Sequence, residues 1–229
     1  MARRLIGEAA ILDAARQAFA SKGYDGTSIR DIAEAAGVSL SALYYYYPSK
    51  YEALYALVLD AFDHYFAESG EALESAGDDA RNQLDALVRH LVMYRVKNAA
   101  QSKLLLQEAD KLHGEGATLV RKKQIESNDR FHAVINLGVE QGHFETPYPD
   151  DCVRAIISMC NAISMWYRPG GSLKVKDLQD RYSHFAFEVA QCSAPPIPVG
   201  RPRRARGTAS TSASDDAASV VAERPAPRS

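Results

Sequence analysis

An all-α fold is what this sequence predicts, and three observations carry the prediction. No segment of the 229 residues alternates apolar and polar side chains long enough to make a half-buried strand. Apolar residues recur instead at helical spacing through most of the chain. Glycine, proline and small polar residues fall where those stripes stop, as helix ends require. The stripes are short before residue 50 and long after residue 78, so a small helical unit precedes a larger one. About nine helices are expected in all.

The first helix spans residues 7–22, with Ile11, Leu12, Ala15, Ala18 and Phe19 on one face, and Gly23 ends it. Tyr24-Asp25-Gly26 is a turn. The second helix starts at Ser28, and Asp31 three residues on makes a near capping box, with Asp in place of Glu or Gln. Ile29, Ile32, Ala33 and Ala36 form its inward face. Gly37 supplies a turn, Val38 plugs the core beneath it, and Ser39 caps a third helix that runs to Tyr45. Pro48 breaks the chain and Ser49 caps a long fourth helix, whose stripe is Leu54, Leu57, Val58, Ala61, Phe62 and Tyr65.

Longer amphipathic helices follow over 79–97, from Ala99 to His113-Gly114, and over 116–141, where Gly142 stops the third. The stretch Glu145-Thr146-Pro147-Tyr148-Pro149 reads as a rigid loop. Asp150 or Asp151 then caps a very apolar helix to Tyr167, Pro169-Gly170-Gly171 is another loop, and a last helix covers 175–192. Beyond Ser193 the composition turns to Pro, Ala, Ser and Thr with almost no large apolar residue. Residues 193–229 are expected to be disordered, because nothing there offsets the entropy of ordering.

Composition narrows the function. The hydrophobic fraction is 46% and the net charge −2. No run of about 18 apolar residues exists, so no membrane span is expected. The N-terminus lacks the long apolar stretch and cleavage site of a secretory signal. The three cysteines, Cys152, Cys160 and Cys192, form no CxxC pattern, which fits a reducing cytoplasm. The six histidines show no HxxxH or HExxH spacing, so neither a metal nor another cofactor is expected. Gly114-Glu115-Gly116 lacks the GK[ST] of a phosphate loop, and no G-x-S-x-G elbow occurs. Nothing here argues for catalysis. Residues 1–50 hold six basic and five acidic side chains, a balance too even to speak for or against nucleic acid.

The stretch from Thr27 to Lys50 carries the strong signal. Helix, glycine turn and nearly uncharged helix make the outline of a helix-turn-helix, which lays its second helix in the DNA major groove. That second helix bears four consecutive tyrosines, Tyr44 to Tyr47. Successive helical residues are about 100° apart, so Tyr44, Tyr45 and Tyr46 cannot all point inward. At least one or two of them face solvent or DNA.

The segment GYDGTSIRDIAEAAGVSLSALYYYYPSKYEAL resembles the DNA-binding segment of TetR-family transcriptional regulators. The family pattern, T-S-I-R-D-I-A-x-x-A-G-V-S-x-x-x-L-Y-x-Y-F-x-S-K-x-x-L, is met from Thr27 to Lys50, with Tyr47 where phenylalanine is usual and Leu54 one residue beyond the pattern's last leucine. By that resemblance Thr27, Ser28, Arg30, Ser39, Tyr44, Tyr46 and Lys50 contact DNA. Tyrosine hydroxyls donate to phosphate oxygens, and Lys50 at the start of a helix suits a phosphate. Leu40, Ser41 and Tyr45 occupy the variable positions and are assigned to base edges or thymine methyls. The resemblance also implies a helix-turn-helix domain over 1–50 and a ligand-binding and dimerisation domain over 51–192. It implies a homodimer joined through the last two helices, on a palindromic double-stranded operator with half-sites about 34 Å or a multiple apart.

The larger domain is where a signal would be received. Met93, Leu105, Phe131, Trp166 and Tyr167 are candidates for an apolar cavity, although each residue type also serves as plain core. Met165-Trp166-Tyr167-Arg168-Pro169-Gly170-Gly171 resembles the WYRPGG segment of TetR-like repressors of fatty-acid and steroid catabolism that respond to acyl-CoA thioesters. That resemblance makes Arg168 a candidate for CoA phosphates, with Lys103, Arg121, Lys122 and Lys123 as others or as a solvated face. The arginines of 201–206 are either extra phosphate contacts or solvated linker. Two rival functions predict different behaviour. A small helical enzyme or acyl-ligand-binding protein binds ligand but no specific DNA. A DNA-compacting protein binds without sequence preference and is steeply salt-sensitive.

Overall fold

The computed structural model describes residues 2–99, 102, 107–168 and 170–194. Among the described residues there are eight α-helices and no strand. They are α1 (Ala2–Lys22), α2 (Ile29–Ala35), α3 (Leu40–Tyr46), α4 (Lys50–Ala76), α5 (Ala80–Lys97), α6 (Gly114–Glu140), α7 (Pro149–Trp166) and α8 (Val175–Val189). A single 3₁₀ turn, Ala109–Lys111, precedes α6.

Serine hydroxyls start α2, α3 and α4, as their spacing implies. Ser28 Oγ accepts from the Asp31 amide at 3.1 Å, and the Asp31 carboxylate takes the Ser28 amide at 2.7 Å, completing the capping box with Asp. Ser39 and Ser49 cap α3 and α4 through the amides of Ala42 and Glu52. Between α2 and α3 Gly37 holds φ +66°, a left-handed backbone that only glycine adopts cheaply.

Helix α5 is the hub of the larger domain. It packs against α4, α6, α7 and α8. Its buried face, Leu84, Leu87, Val88, Leu91 and Val92, repeats at three and four residues. Polar ties fix the register. Arg89 bridges Asp85 at 2.7 Å and Asp180 of α8 at 2.6 Å. Tyr94 donates its hydroxyl to Ala61 O at 2.8 Å, joining α5 to α4. Gln141, just past α6, accepts from the Ala80 amide and donates to Asp78 O, closing the α5 entrance.

Asp79 is the N-cap of α5, accepting from the Arg81 amide and guanidinium. Those bonds hold its carboxyl down at about 2. A folded pKa below the unfolded value means stability that is present above the unfolded pKa, near 3.9, and is lost as pH falls through about 2. Asp79→Ala is therefore expected to cost about 1 kcal/mol at neutral pH. In urea titrations across pH, the gap between the two proteins should close below about pH 4. A gap at pH 2 as large as the one at neutral pH contradicts the assignment.

Three expectations need correction. The helix expected from Ala99 to His113-Gly114 does not persist: by Ala109 the chain is 3₁₀, Leu112 is extended, and Gly114 at φ +59° opens α6 two residues early. Residues 100, 101 and 103–106 of that stretch lie outside the described residues, as do 195–229, the bulk of the expected disordered tail and the arginines at 201–206. Helix α7 is capped by neither Asp150 nor Asp151. Tyr148 occupies the N-cap position and Pro149 is the first helical residue, where a missing N–H costs nothing. The two aspartates sit in the first turn and favour the helix through its dipole. Helix α8 ends at Val189, because Cys192 pairs antiparallel with Phe144 instead of continuing the helix.

Candidate nucleic-acid interface and effector domain

Ile11, Ala15 and Phe19 of α1, Ile32 and Ala33 of α2, and Leu43 of α3 form the core beneath the helix-turn-helix. That core spends the apolar positions and leaves the other faces outward. Tyr44 is 45% and Tyr45 67% exposed. Arg30, Ser28, Ser39 and Ser41 are exposed and Leu40 is half-buried. Tyr46 lies against α1, where a Cβ on Gly7 would stand 3.3 Å from its hydroxyl. Tyr47 is buried and hydrogen-bonded to Glu8, and burial pushes its hydroxyl up to about 12. The tyrosine run thus divides into two outward rings, one packed at the α1 boundary and one in the core. A recess of 480 Å³ opens beside them, lined by Asp25, Thr27, Ser28, Ile29, Tyr44, Pro48, Ser49 and Lys50.

Two residues assigned to DNA have other partners. Thr27 is 2% exposed, and its hydroxyl donates to Gly23 O at 2.7 Å, closing the end of α1. Its side chain is a turn residue, not a surface contact. Lys50 borders the recess, but its Nζ donates to Tyr24 O at 2.7 Å and Thr27 O at 2.8 Å and stands 4.2 Å from the Tyr24 ring centroid. It pins the α1–α2 turn to the start of α4. Lys50→Met should therefore lower folding stability by about 1–3 kcal/mol in urea unfolding, since two carbonyls lose their donor. A lysine serving phosphate alone would leave stability unchanged.

The same turn is tied to the larger domain. Lys111 Nζ lies 3.1 Å from Asp25 Oδ2. Tyr51 of α4 donates to His113 O at 2.8 Å and stacks on the His113 ring at 4.6 Å. Gly116 admits this approach, for a Cβ there would stand 2.4 Å from the Tyr51 hydroxyl. Residues 107–116, at the mouth of α6, thereby touch both α4 and the turn that orients α2.

The expected effector residues do not form one cluster at the surface. Phe131 is fully buried, while Met93 and Tyr167 are half-buried. Trp166 is 46% exposed and hydrogen-bonded to Tyr182 of α8. Arg168 is exposed, with its guanidinium 3.3 Å from Tyr167 O. Leu105, with Lys103, lies outside the described residues. A second recess, of 530 Å³, opens at the start of α6 between Gly114, Glu115, Thr118, Leu119 and Lys122. Among the described residues no helix is long and apolar enough to cross a membrane, and no cluster of three His, Cys, Asp or Glu side chains stands ready for a metal.

Known proteins of this kind share both halves. Residues 11–57 match the bacterial regulatory proteins of the tetR family, and residues 77–190 match the tetracyclin repressor-like C-terminal domain. The HTH-type transcriptional repressor KstR2 of Rhodococcus jostii is 28% identical over 176 residues, spanning 75% of this chain and 85% of that protein. The structure of the ketosteroid transcriptional regulator KstR2 of Mycobacterium tuberculosis superposes with a TM-score of 0.73 at 25% identity, covering 79% of this chain and 93% of that one. AibR in complex with isovaleryl coenzyme A and operator DNA shares the fold, with a TM-score of 0.74 at 20% identity over 81% of this chain and 99% of that one. Both KstR2 proteins are transcriptional regulators. A capped helix-turn-helix with an outward tyrosine face, joined by α4 to a helical domain built around α5, is the TetR arrangement, and this chain belongs to the TetR family of DNA-binding transcriptional regulators.

Proposed function

We propose that the protein is a ligand-responsive repressor that binds a palindromic operator as a homodimer and is released by a hydrophobic or acyl-CoA-type effector. The observation that carries this reading is the tie of residues 107–116 to the DNA-binding unit through Lys111–Asp25 and to the start of α4, which continues from it, through Tyr51–His113. In the reading, residues 1–50 hold DNA and 51–192 hold the effector and the partner. Ser28, Arg30, Tyr44 and Tyr46 grip the backbone, while Leu40, Ser41 and Tyr45 face base edges. Ser39 orders the start of α3. Met165, Trp166 and Phe185 leave apolar surface on α7 and α8 for a second copy.

The effector class is supported by the likeness to KstR2, named for ketosteroids, and by the Trp166-Tyr167-Arg168 segment. AibR supports the fold alone. In the reading, the acyl group lies on the inner side of the larger domain beside Met93, Phe131 and Tyr167, and Arg168 serves the CoA end. Effector binding shifts the 107–116 segment, which drags Asp25 and α4 and changes the spacing of the two α3 helices. Moving the population from 99:1 to 1:99 needs about 5.5 kcal/mol of differential affinity. The test is fluorescence anisotropy of the protein on its operator with acyl-CoA thioesters of increasing chain length. Release by one of them at micromolar concentration supports the reading. An operator complex indifferent to all of them and to free CoA removes the acyl-CoA assignment.

A further inference from the structure

Arg95 is a buried cation with no anion beside it among the described residues. It sits in the last turn of α5 and is 9% exposed. Its Nε donates to Asn161 Oδ1 of α7 at 3.0 Å, and its Nη1 to Ser102 Oγ at 3.3 Å. Both acceptors are neutral. Its guanidinium carbon is 5.7 Å from the Tyr94 ring centroid. The other groups that it feels are Tyr65, Tyr94 and Cys160, all uncharged at neutral pH, since burial raises each of them. Among the described residues no carboxylate pairs with it. The chain that follows it, residues 96–107, reads VKNAAQSKLLLQ and adds two lysines and no acid.

The surroundings share the same sign. Arg130 of α6 donates to Phe66 O at 2.9 Å and to Ser69 Oγ, and lies 4.7 Å from the Phe66 ring, again with neutral partners. Tyr65 feels both arginines. His90, tilted against Tyr65 and Tyr94, has a buried Nε2 that finds no partner among the described residues. Glu68 lies 3.9 Å from His90 Nδ1, and its side chain is 56% exposed. A guanidinium does not shed its proton to escape burial. An uncompensated buried charge is costly, and a helix C-terminus offsets only part of the cost. An arginine kept only for packing would be better replaced by methionine.

From this we infer that Arg95, positioned by Asn161, receives an oxyanion carried by the effector, which enters in place of the Ser102 hydroxyl. The effector is then an amphipathic acid, an apolar body bearing a carboxylate or phosphate, and not a neutral lipid or sterol. The inference rests on the effector-binding reading above and sharpens it. Neither Asn161 nor Ser102 supplies charge, and a guanidinium presents paired N–H donors that match two oxygens of one group.

Thermal unfolding of the full chain tests it, with decanoate as carboxylate, coenzyme A as phosphate and decanol as the uncharged control. The wild type should gain about 5 °C at about a hundredfold excess over Kd with one of the two anions, which identifies the oxyanion, and nothing with decanol. Arg95→Met should lose that gain while melting at or above the unliganded wild type. Asn161→Leu, which keeps the charge but not its orientation, should retain only part of the gain. Equal responses to decanol and decanoate, no response to either anion, or an Arg95→Met that responds as the wild type does overturns the inference. So does an Arg95→Met that fails to fold, since Arg95 is then a structural brace. Operator binding by the same samples separates the two readings. If neither protein binds duplex DNA, the regulator reading fails while the melting data still report on the anion site.

Discussion

Gly138→Ala should lower the melting temperature by about 4–8 °C, against the usual preference of a helix for alanine. A Cβ at Gly138 would lie 2.0 and 2.2 Å from ring atoms of Phe144. That ring cannot swing away cheaply. Phe144 is 2% exposed, its amide donates to Gly138 O at 3.0 Å, and its backbone pairs with Cys192. Helix propensity favours alanine by about 1 kcal/mol, while overpacking costs about 3 kcal/mol, so the clash wins by about 2 kcal/mol. Gly70→Ala in α4 is the control. The nearest atom to its Cβ is Arg130 Nη1 at 3.9 Å, so alanine there fits and should stabilise by up to about 1 kcal/mol. Calorimetry of the two variants should give shifts of opposite sign. Equal shifts contradict the packing described for the end of α6.

Ser41→Glu should abolish specific DNA binding, by about 100-fold or more, with the melting temperature unchanged. Ser41 is exposed in the first turn of α3, where an acidic side chain suits the helix dipole. Facing a duplex, the same carboxylate meets phosphates and base acceptors of like sign. Tyr44→Ala should act differently, weakening binding to all sequences alike, because a hydroxyl on phosphate carries no sequence information. Anisotropy titrations on operator and scrambled duplexes distinguish the two. A Ser41→Glu protein that still binds its operator places the recognition surface elsewhere.

The helix-turn-helix was legible because each of its boundaries is local chemistry. Ser28, Ser39 and Ser49 cap, Gly37 turns left-handed, and Ile32, Ala33 and Leu43 mark the buried face. The division of Tyr44–Tyr47 was legible only in part, because helical phase shows that some rings face outward but not which one meets Gly7. Thr27 and Lys50 have carbonyl partners that the sequence does not announce, for a physical reason. A hydroxyl and an ammonium at the edge of a helix-turn-helix are the chemistry of phosphate contact and equally that of carbonyl capping, and only the fold showed Gly23, Tyr24 and Thr27 carbonyls within reach. Around residue 109 the amphipathic pattern continues while the backbone tightens, so periodicity overran the helix. Arg95 leaves a trace in the sequence: it stands on the stripe Leu84, Val88, Leu91, Val92, where an apolar residue is expected.

The account stands or falls on sequence-specific binding by two copies of this surface. Selection of a random duplex library by the purified protein at moderate salt, followed by sequencing of what is retained, measures that most directly. The account predicts an enriched palindrome whose half-sites lie about one helical turn, or a multiple of it, apart, and loss of that enrichment in Ser41→Glu. A folded protein that retains DNA without any consensus, or with a single unrepeated half-site, contradicts it.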